Sequence, residues 1–169
     1  RGQAATATAA FERELATVDT HHPLGREYAM QAHLGYGLVL LTSRRAFDAL
    51  TEFGAALALY PDHGASNLAT AAALVGLGDR VRAARHLAAA VEAIPVLARS
   101  RPLEAQLVRA QRLSVTGAPD GAIEVLQQLL ADAQPGSTGW TIPIDPLLGS
   151  IRARPGYRAL LDALVGRAE

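Results

Sequence analysis

The sequence predicts an all-helical protein assembled from antiparallel helix pairs, and two observations carry that expectation. Half of the 169 residues are hydrophobic but only 5% are aromatic. The apolar mass is therefore mostly Ala and Leu, strong helix formers, while the β-branched and aromatic residues that favour strands are few. The second observation is an internal period: Ala49, Phe53, Ala56 and Pro61 recur as Ala83, Leu87, Ala90 and Pro95, every pair 34 residues apart. A fixed period of that length marks stacked supersecondary units, and small Ala side chains let stacked helices approach closely.

Taken in chain order, the first expected helix covers 3–18, where Ala7, Phe11 and Leu15 resemble the second helix of a preceding partial unit. The next covers 24–42 and carries a small residue, Gly37, three positions before Leu40. Thr42 and Ser43 mark a turn into 44–60, which Pro61 closes because proline lacks an N–H and disfavours helix in the residue before it. Helix 64–77 repeats the small residue and Leu as Ala71 and Leu74, and Gly78-Asp79 turns the chain into 79–94. The following copy returns after 39 residues: Ala122, Leu126 and Leu129 repeat Ala83, Leu87 and Ala90, with Ala110 as the small residue and Pro135 near the end. Its expected helices are 99–116 and 118–133, with a turn over 117–120, and the extra length is assigned to a longer turn or helix around 95–102. Residues 136–139 read as a loop, and Pro143 and Pro146 bar regular helix over 140–146. Residues 147–154, a Pro155-Gly156 break and an amphipathic helix over 157–167 complete the chain. The expected organisation is one domain, an array over 1–135 and a loop with capping helix over 136–169.

These positions resemble the tetratricopeptide repeat: a small residue early in helix A, Ala-x3-Phe or Ala-x3-Leu in helix B, and a closing Pro. The usual Trp and Tyr of helix A are absent, and His33 and Leu40 stand in the first copy. The resemblance implies a right-handed α-solenoid of about three repeats with a C-terminal capping helix. The tail pattern Asp145-Pro146-Leu147-Leu148, Ile151-Arg152, Pro155, Tyr157 and Leu160-Leu161 is similar to the end of such arrays in bacterial multidomain regulators, where they trail a Ser/Thr kinase, an adenylyl cyclase or a winged-helix domain. An exposed terminal repeat needs a cap, and Tyr157, Leu160, Leu161 and Leu164 are expected to supply it. The competing expectation lays Trp140, Ile142 and Ile144 extended in the array's own groove.

In the family, helix A lines the concave face. Carried over by position, the partner-binding groove consists of Gln31, Leu34, Leu38 and Leu41, then Leu68, Ala72 and Val75, then Leu107, Gln111 and Ser114, with Arg109 and Arg112 at the rim. Family members that grip a peptide's carboxylate do so with Lys and Asn; Leu34 and Leu38 stand at those places here. The resemblance therefore implies a hydrophobic helix or extended segment as ligand. It also implies a docking module without catalysis. The alternatives are a ligand-sensing domain that controls an attached kinase or cyclase, and a self-association module that forms homo-oligomers.

The residues themselves offer little chemistry. Basic and acidic residues number sixteen each, all the basic ones Arg, so no basic face points to nucleic acid. The absence of Cys excludes disulfides and thiolate metal sites and fits a reducing, cytoplasmic setting. No apolar run approaches membrane-spanning length. His21, His22, His33, His63 and His86 are scattered and read as surface or packing residues, not zinc ligands. The Gly76-Leu77-Gly78-Asp79 run lacks the strand and Lys of a phosphate loop and reads as a helix turn. Arg80, Arg82, Arg85, Arg99 and Arg101 read as a solvated face. No Ser-His-Asp motif exists, so neither enzyme, cofactor nor metal is expected. The start at Arg1-Gly2 without Met reads as a piece of a longer protein.

Overall fold

A computed structural model of the chain describes residues 2–134 and 139–167, with side chains from residue 5 onward. The described residues are helical with no strand: α1 (Gly2–Thr17), α2 (Pro23–Thr42), α3 (Ala46–Leu59), α4 (Gly64–Gly76), α5 (Arg80–Ser100), α6 (Pro102–Val115), α7 (Pro119–Asp132), a 3-10 helix (Pro146–Ala153) and α8 (Gly156–Val165). They form two compact units, Arg1–Ala89 and Ala90–Glu169, divided within α5. The loop expected over 136–139 lies, apart from Gly139, outside the described residues.

The helix turns recur with the spacing read from the sequence. After α2, Arg44 adopts a left-handed backbone, φ 61°; after α4 Gly78 does so at φ 83°, and after α6 Gly117 at φ 85°. The same two hydrogen bonds close all three turns. Arg45, Asp79 and Ala118 donate their N–H to the carbonyls of Leu40, Leu74 and Leu113, at 3.0, 2.9 and 2.8 Å. Arg44, Gly78 and Gly117 donate theirs to Leu41, Val75 and Ser114. This pairing satisfies carbonyls that a helix end would otherwise orphan. The left-handed residues lie 34 and 39 positions apart, so the repeat-like character is built into backbone geometry as well as residue type.

In the first unit, α1 packs on α2, α2 on α3, α3 on α4, and α2 also touches α4. Joined by short turns, consecutive helices alternate in direction, so α2 and α4 run parallel. The sequence explains why they pack so closely. A methyl group on Gly37 would stand 2.3 Å from Cε1 of Phe53, so the fully buried Phe53 ring occupies the space a side chain would have taken. Ala49, Ala56, Ala69, Ala71 and Ala73, all without exposed surface, keep the helices close around Phe53, Leu68 and Leu74. On the other side of α2, the Phe11 ring of α1 stacks on Tyr36 at 6.1 Å, and the Tyr36 hydroxyl donates to Glu12 at 3.0 Å. Histidines cap the two parallel helices: His22 Nδ1 accepts from Leu24 N–H and His63 Nδ1 from Ser66 N–H, a role more often taken by Ser, Thr, Asp or Asn.

Pro95 does not end helix B as expected; α5 runs through it to Ser100. Proline inside a helix forfeits one hydrogen bond and crowds the preceding turn, but Pro95 is exposed, so water can take up the carbonyl it frees. The five additional residues of the 39-residue interval thus extend a helix, and Pro102 opens α6, where its missing N–H is harmless.

The second unit is built around Ala110, Ala122, Ile123, Leu126, Leu129 and Leu130 of α6 and α7, joined by Ile142, Leu148, Ile151 and Leu160 of the tail. Tyr157 and Leu164 pack on that core. Arg167 donates to the carbonyls of Leu130 and Ala133 at the end of α7, and Arg154 forms a two-pronged pair with Asp120 at its start. Trp140 is 74% exposed and Ile144 68%, whereas Ile142 between them is buried, so this stretch anchors through one residue of the three.

Candidate docking face

Of the residues expected to line a groove, Gln31, Leu38, Leu41, Ala72 and Val75 keep surface in the first unit; Val75 is 49% exposed. Leu34 and Leu68 are core residues, Leu68 with no exposed surface at all. Both are buried and offer a ligand little to touch.

The face of α2 also extends further than the expected set. Leu24 and Tyr28, 59% and 60% exposed, lie seven and three residues before Gln31. With Leu38, seven residues after Gln31, they complete a stripe at helical spacing. α1 reaches this stripe near its end: a methyl group on Gly35, between Gln31 and Leu38, would stand 2.7 Å from Cζ of Phe11, whereas Leu24, Tyr28 and Gln31 stay exposed. The stripe was readable by continuing the Gln31–Leu38 spacing upstream; the family pattern begins too late in the helix to include Leu24 and Tyr28.

In the second unit the corresponding face of α6 is covered by the chain's own tail. Gln111, nearly buried, donates from Nε2 to Asp145 Oδ2 at 2.7 Å. The other oxygen of Asp145 caps the 3-10 helix by accepting from Leu147 N–H at 2.8 Å. Ser114 and Ser150 pair through their hydroxyls at 2.7 Å, and Leu107 packs against the core. Arg109 stays exposed and Arg112 half-buried. Burial raises the Asp145 carboxyl above its ordinary range, against the opposing pull of Gln111, Leu147 N–H and Arg152. Gln111 Oε1 is buried without a hydrogen-bond partner. Covering this face therefore leaves one charge and one acceptor poorly solvated, while it buries Ile142, Leu148 and Ile151.

The histidines do not converge. His33 Nδ1 meets Glu52 at 2.8 Å between α2 and α3. His86 Nδ1 donates to Asn67 Oδ1 at 2.9 Å, since the Asn67 amide group already donates to the carbonyls of Pro61 and His63. Burial lowers the His86 pKa, with Arg82 nearby adding to the shift. Among the described residues, no group of three or more His, Asp or Glu is placed to hold a metal ion, and no helix is long and apolar enough to cross a membrane. The Gly76–Asp79 run is the turn between α4 and α5.

No family model matches the chain, and neither a curated protein nor a solved structure does.

Proposed function

We propose that the chain is a tetratricopeptide-type array, a right-handed solenoid of about three helix pairs with a C-terminal capping helix. In this reading it serves as a protein-docking module within a larger regulatory protein and performs no catalysis of its own. The fold part of the reading is supported by the three matching turns and by the Gly37–Phe53 approach between helices A and B. The docking part rests on one observation: Leu24, Tyr28 and Gln31 on the first turns of α2, with Val75 on α4, are exposed, apolar at three of the four positions. Helix-in-groove recognition uses anchors at this kind of spacing, and an exposed Tyr flanked by aliphatic residues is a common energetic anchor. The ligand face is correspondingly narrower than a three-repeat groove.

Panning a displayed library of random 16-residue peptides against the purified chain tests this, with affinities read by fluorescence anisotropy. Selected peptides should carry apolar residues at helical spacing and lose at least tenfold in affinity against Tyr28→Ala and Leu38→Glu. Phe47→Ser, on the exposed side of α3, should leave binding unchanged. Failure to enrich any peptide, or binding indifferent to Tyr28 and Leu38, would refute the docking role.

A further inference from the structure

The turns after α2 and α4 share more than their backbone. Each is followed, at the second position of the next helix, by a large apolar side chain turned to solvent: Phe47 is 76% exposed and Val81 70%. The two lie 34 residues apart, the period of the helix pairs. Leu77, 36% exposed, adds to the second turn. Since α2 and α4 touch and run parallel, both turns stand at the end of the first unit where those helices stop.

Arginines collect around the same apolar tips. Arg44 and Arg45 directly precede α3, and Arg80, Arg82 and Arg85 surround Val81 on α5, all five exposed. Against them stand Asp48 and Asp79, so the two turns keep an excess of three positive charges, five arginines less two aspartates. Arg45 is taken up by Asp48 and Arg82 by Asp79, and Arg85 lies within reach of the Asp79 charge. Arg44 and Arg80 make no ion pair among the described residues. The start of α1, which lies at this end, brings no acidic residue before Glu12.

Apolar side chains set among arginines, on two turns at one end, suit a surface that is negatively charged outside and apolar just beneath. An anionic bilayer is such a surface: its headgroups attract arginine, and its boundary with the acyl chains receives apolar side chains. An acidic protein would need a separate pocket for each tip, whereas a membrane interface accepts both without matching their shapes. We propose that this end of the first unit attaches the protein peripherally to anionic membranes, with Arg44 and Arg80 on lipid headgroups and Phe47 and Val81 entering the headgroup–acyl boundary. Charge and apolar insertion are both required, because stable anchoring takes two signals. Leu24 and Tyr28 lie at the other end of α2, so this site is separate from the docking face.

Co-sedimentation of the full chain with vesicles tests it, comparing phosphatidylcholine alone with phosphatidylcholine carrying about one-third phosphatidylserine. At 0.1 M salt, where the screening length is about 10 Å, partitioning onto the anionic vesicles should be at least fivefold stronger. At 1 M salt, where that length is about 3 Å, most of the preference should disappear. The Arg44→Glu, Arg80→Glu double variant and Phe47→Ser should each lose at least fivefold on anionic vesicles, whereas Tyr28→Ala should bind as wild type does. All these side chains are exposed, so helical circular dichroism should be unchanged; Val81→Ser repeats the apolar test on the second turn. No binding to either vesicle, or equal binding to both, overturns the proposal. So does binding that Phe47→Ser and Val81→Ser leave intact, and so does a polyglutamate peptide that binds the chain while the vesicles do not, which would assign the arginines to an acidic protein.

Discussion

Replacing Arg44 with glycine should stabilise the first unit, although it removes a side chain and adds no contact. Arg44 sits at φ 61° in the turn after α2, where the turns after α4 and α6 hold Gly78 and Gly117. For a residue with a Cβ, left-handed backbone costs about 1–2 kcal/mol. Glycine escapes that strain but enlarges the freedom of the unfolded chain, which offsets about 0.4–1 kcal/mol. The Arg44 side chain is exposed and makes no ion pair among the described residues, so little else changes. The net gain is about 0.5–1 kcal/mol. Gly78→Ala is the mirror case: a methyl there meets nothing within 4 Å, so the loss of about 0.5–1 kcal/mol is backbone strain alone. In urea unfolding followed by far-ultraviolet circular dichroism, with a slope of about 1.5 kcal/mol/M, each change moves the midpoint by about 0.3–0.7 M, in opposite directions. Should Arg44→Gly lower the midpoint, or Gly78→Ala raise it, the claim that these turns share one strained conformation is wrong.

The same packing makes a second contrast. Gly37→Ala should lower the melting temperature because its methyl collides with Phe53, an overpacking cost of about 1–3 kcal/mol against about 1 kcal/mol of helix propensity gained; Gly54→Ala, open on α3, should raise it, and the reverse order would contradict the helix crossing described. Leu68→Glu should abolish the helical signal of the first unit by burying an unpaired charge, a loss of about 3–5 kcal/mol, while Leu38→Glu leaves that signal intact; equal effects would mean Leu68 is not core. Asp145 carries a pH prediction. Its folded pKa lies above the unfolded value, so the folded state holds the proton longer, and stability falls as pH rises from the unfolded pKa, about 3.9, through the folded one. Asp145→Asn keeps an oxygen for Leu147 N–H and removes the charge. Its urea midpoint should therefore gain on wild type between pH 3.5 and 7, and a wild type that gains on the variant over that range would refute the burial argument.

What the residues disclosed in advance was the part of the fold set by local chemistry. Gly78 and Gly117 announced their turns because few other residues tolerate that backbone, and Gly37 marked a small-residue position on α2, while its contact with Phe53 emerged only from the packing. Thr42 and Ser43 marked the turn after α2, but Arg44 gave no sign that it takes the left-handed backbone Gly78 and Gly117 take in theirs. Pro95 misled for a physical reason: proline disfavours helix continuation, yet an exposed proline loses little that water cannot replace, so neighbouring packing decides. The candidate face was legible in kind but not in extent. Leu34 and Leu68 have the same character as Leu38, and only tertiary packing separates the buried two from the half-exposed one. Gln111 gave no hint that its partner would be Asp145, 34 positions away, because a buried amide–carboxylate pair is defined by tertiary placement and not by spacing. Histidine caps were equally silent, since His is seldom read as a helix start.

Hydrogen exchange of the full chain, free and saturated with a peptide selected on it, tests the docking account most directly. The account predicts slower exchange confined to residues 24–42 of α2 and 68–76 of α4, with α6 and α7 unchanged. Protection centred on 102–132, or none anywhere despite tight binding, would contradict it.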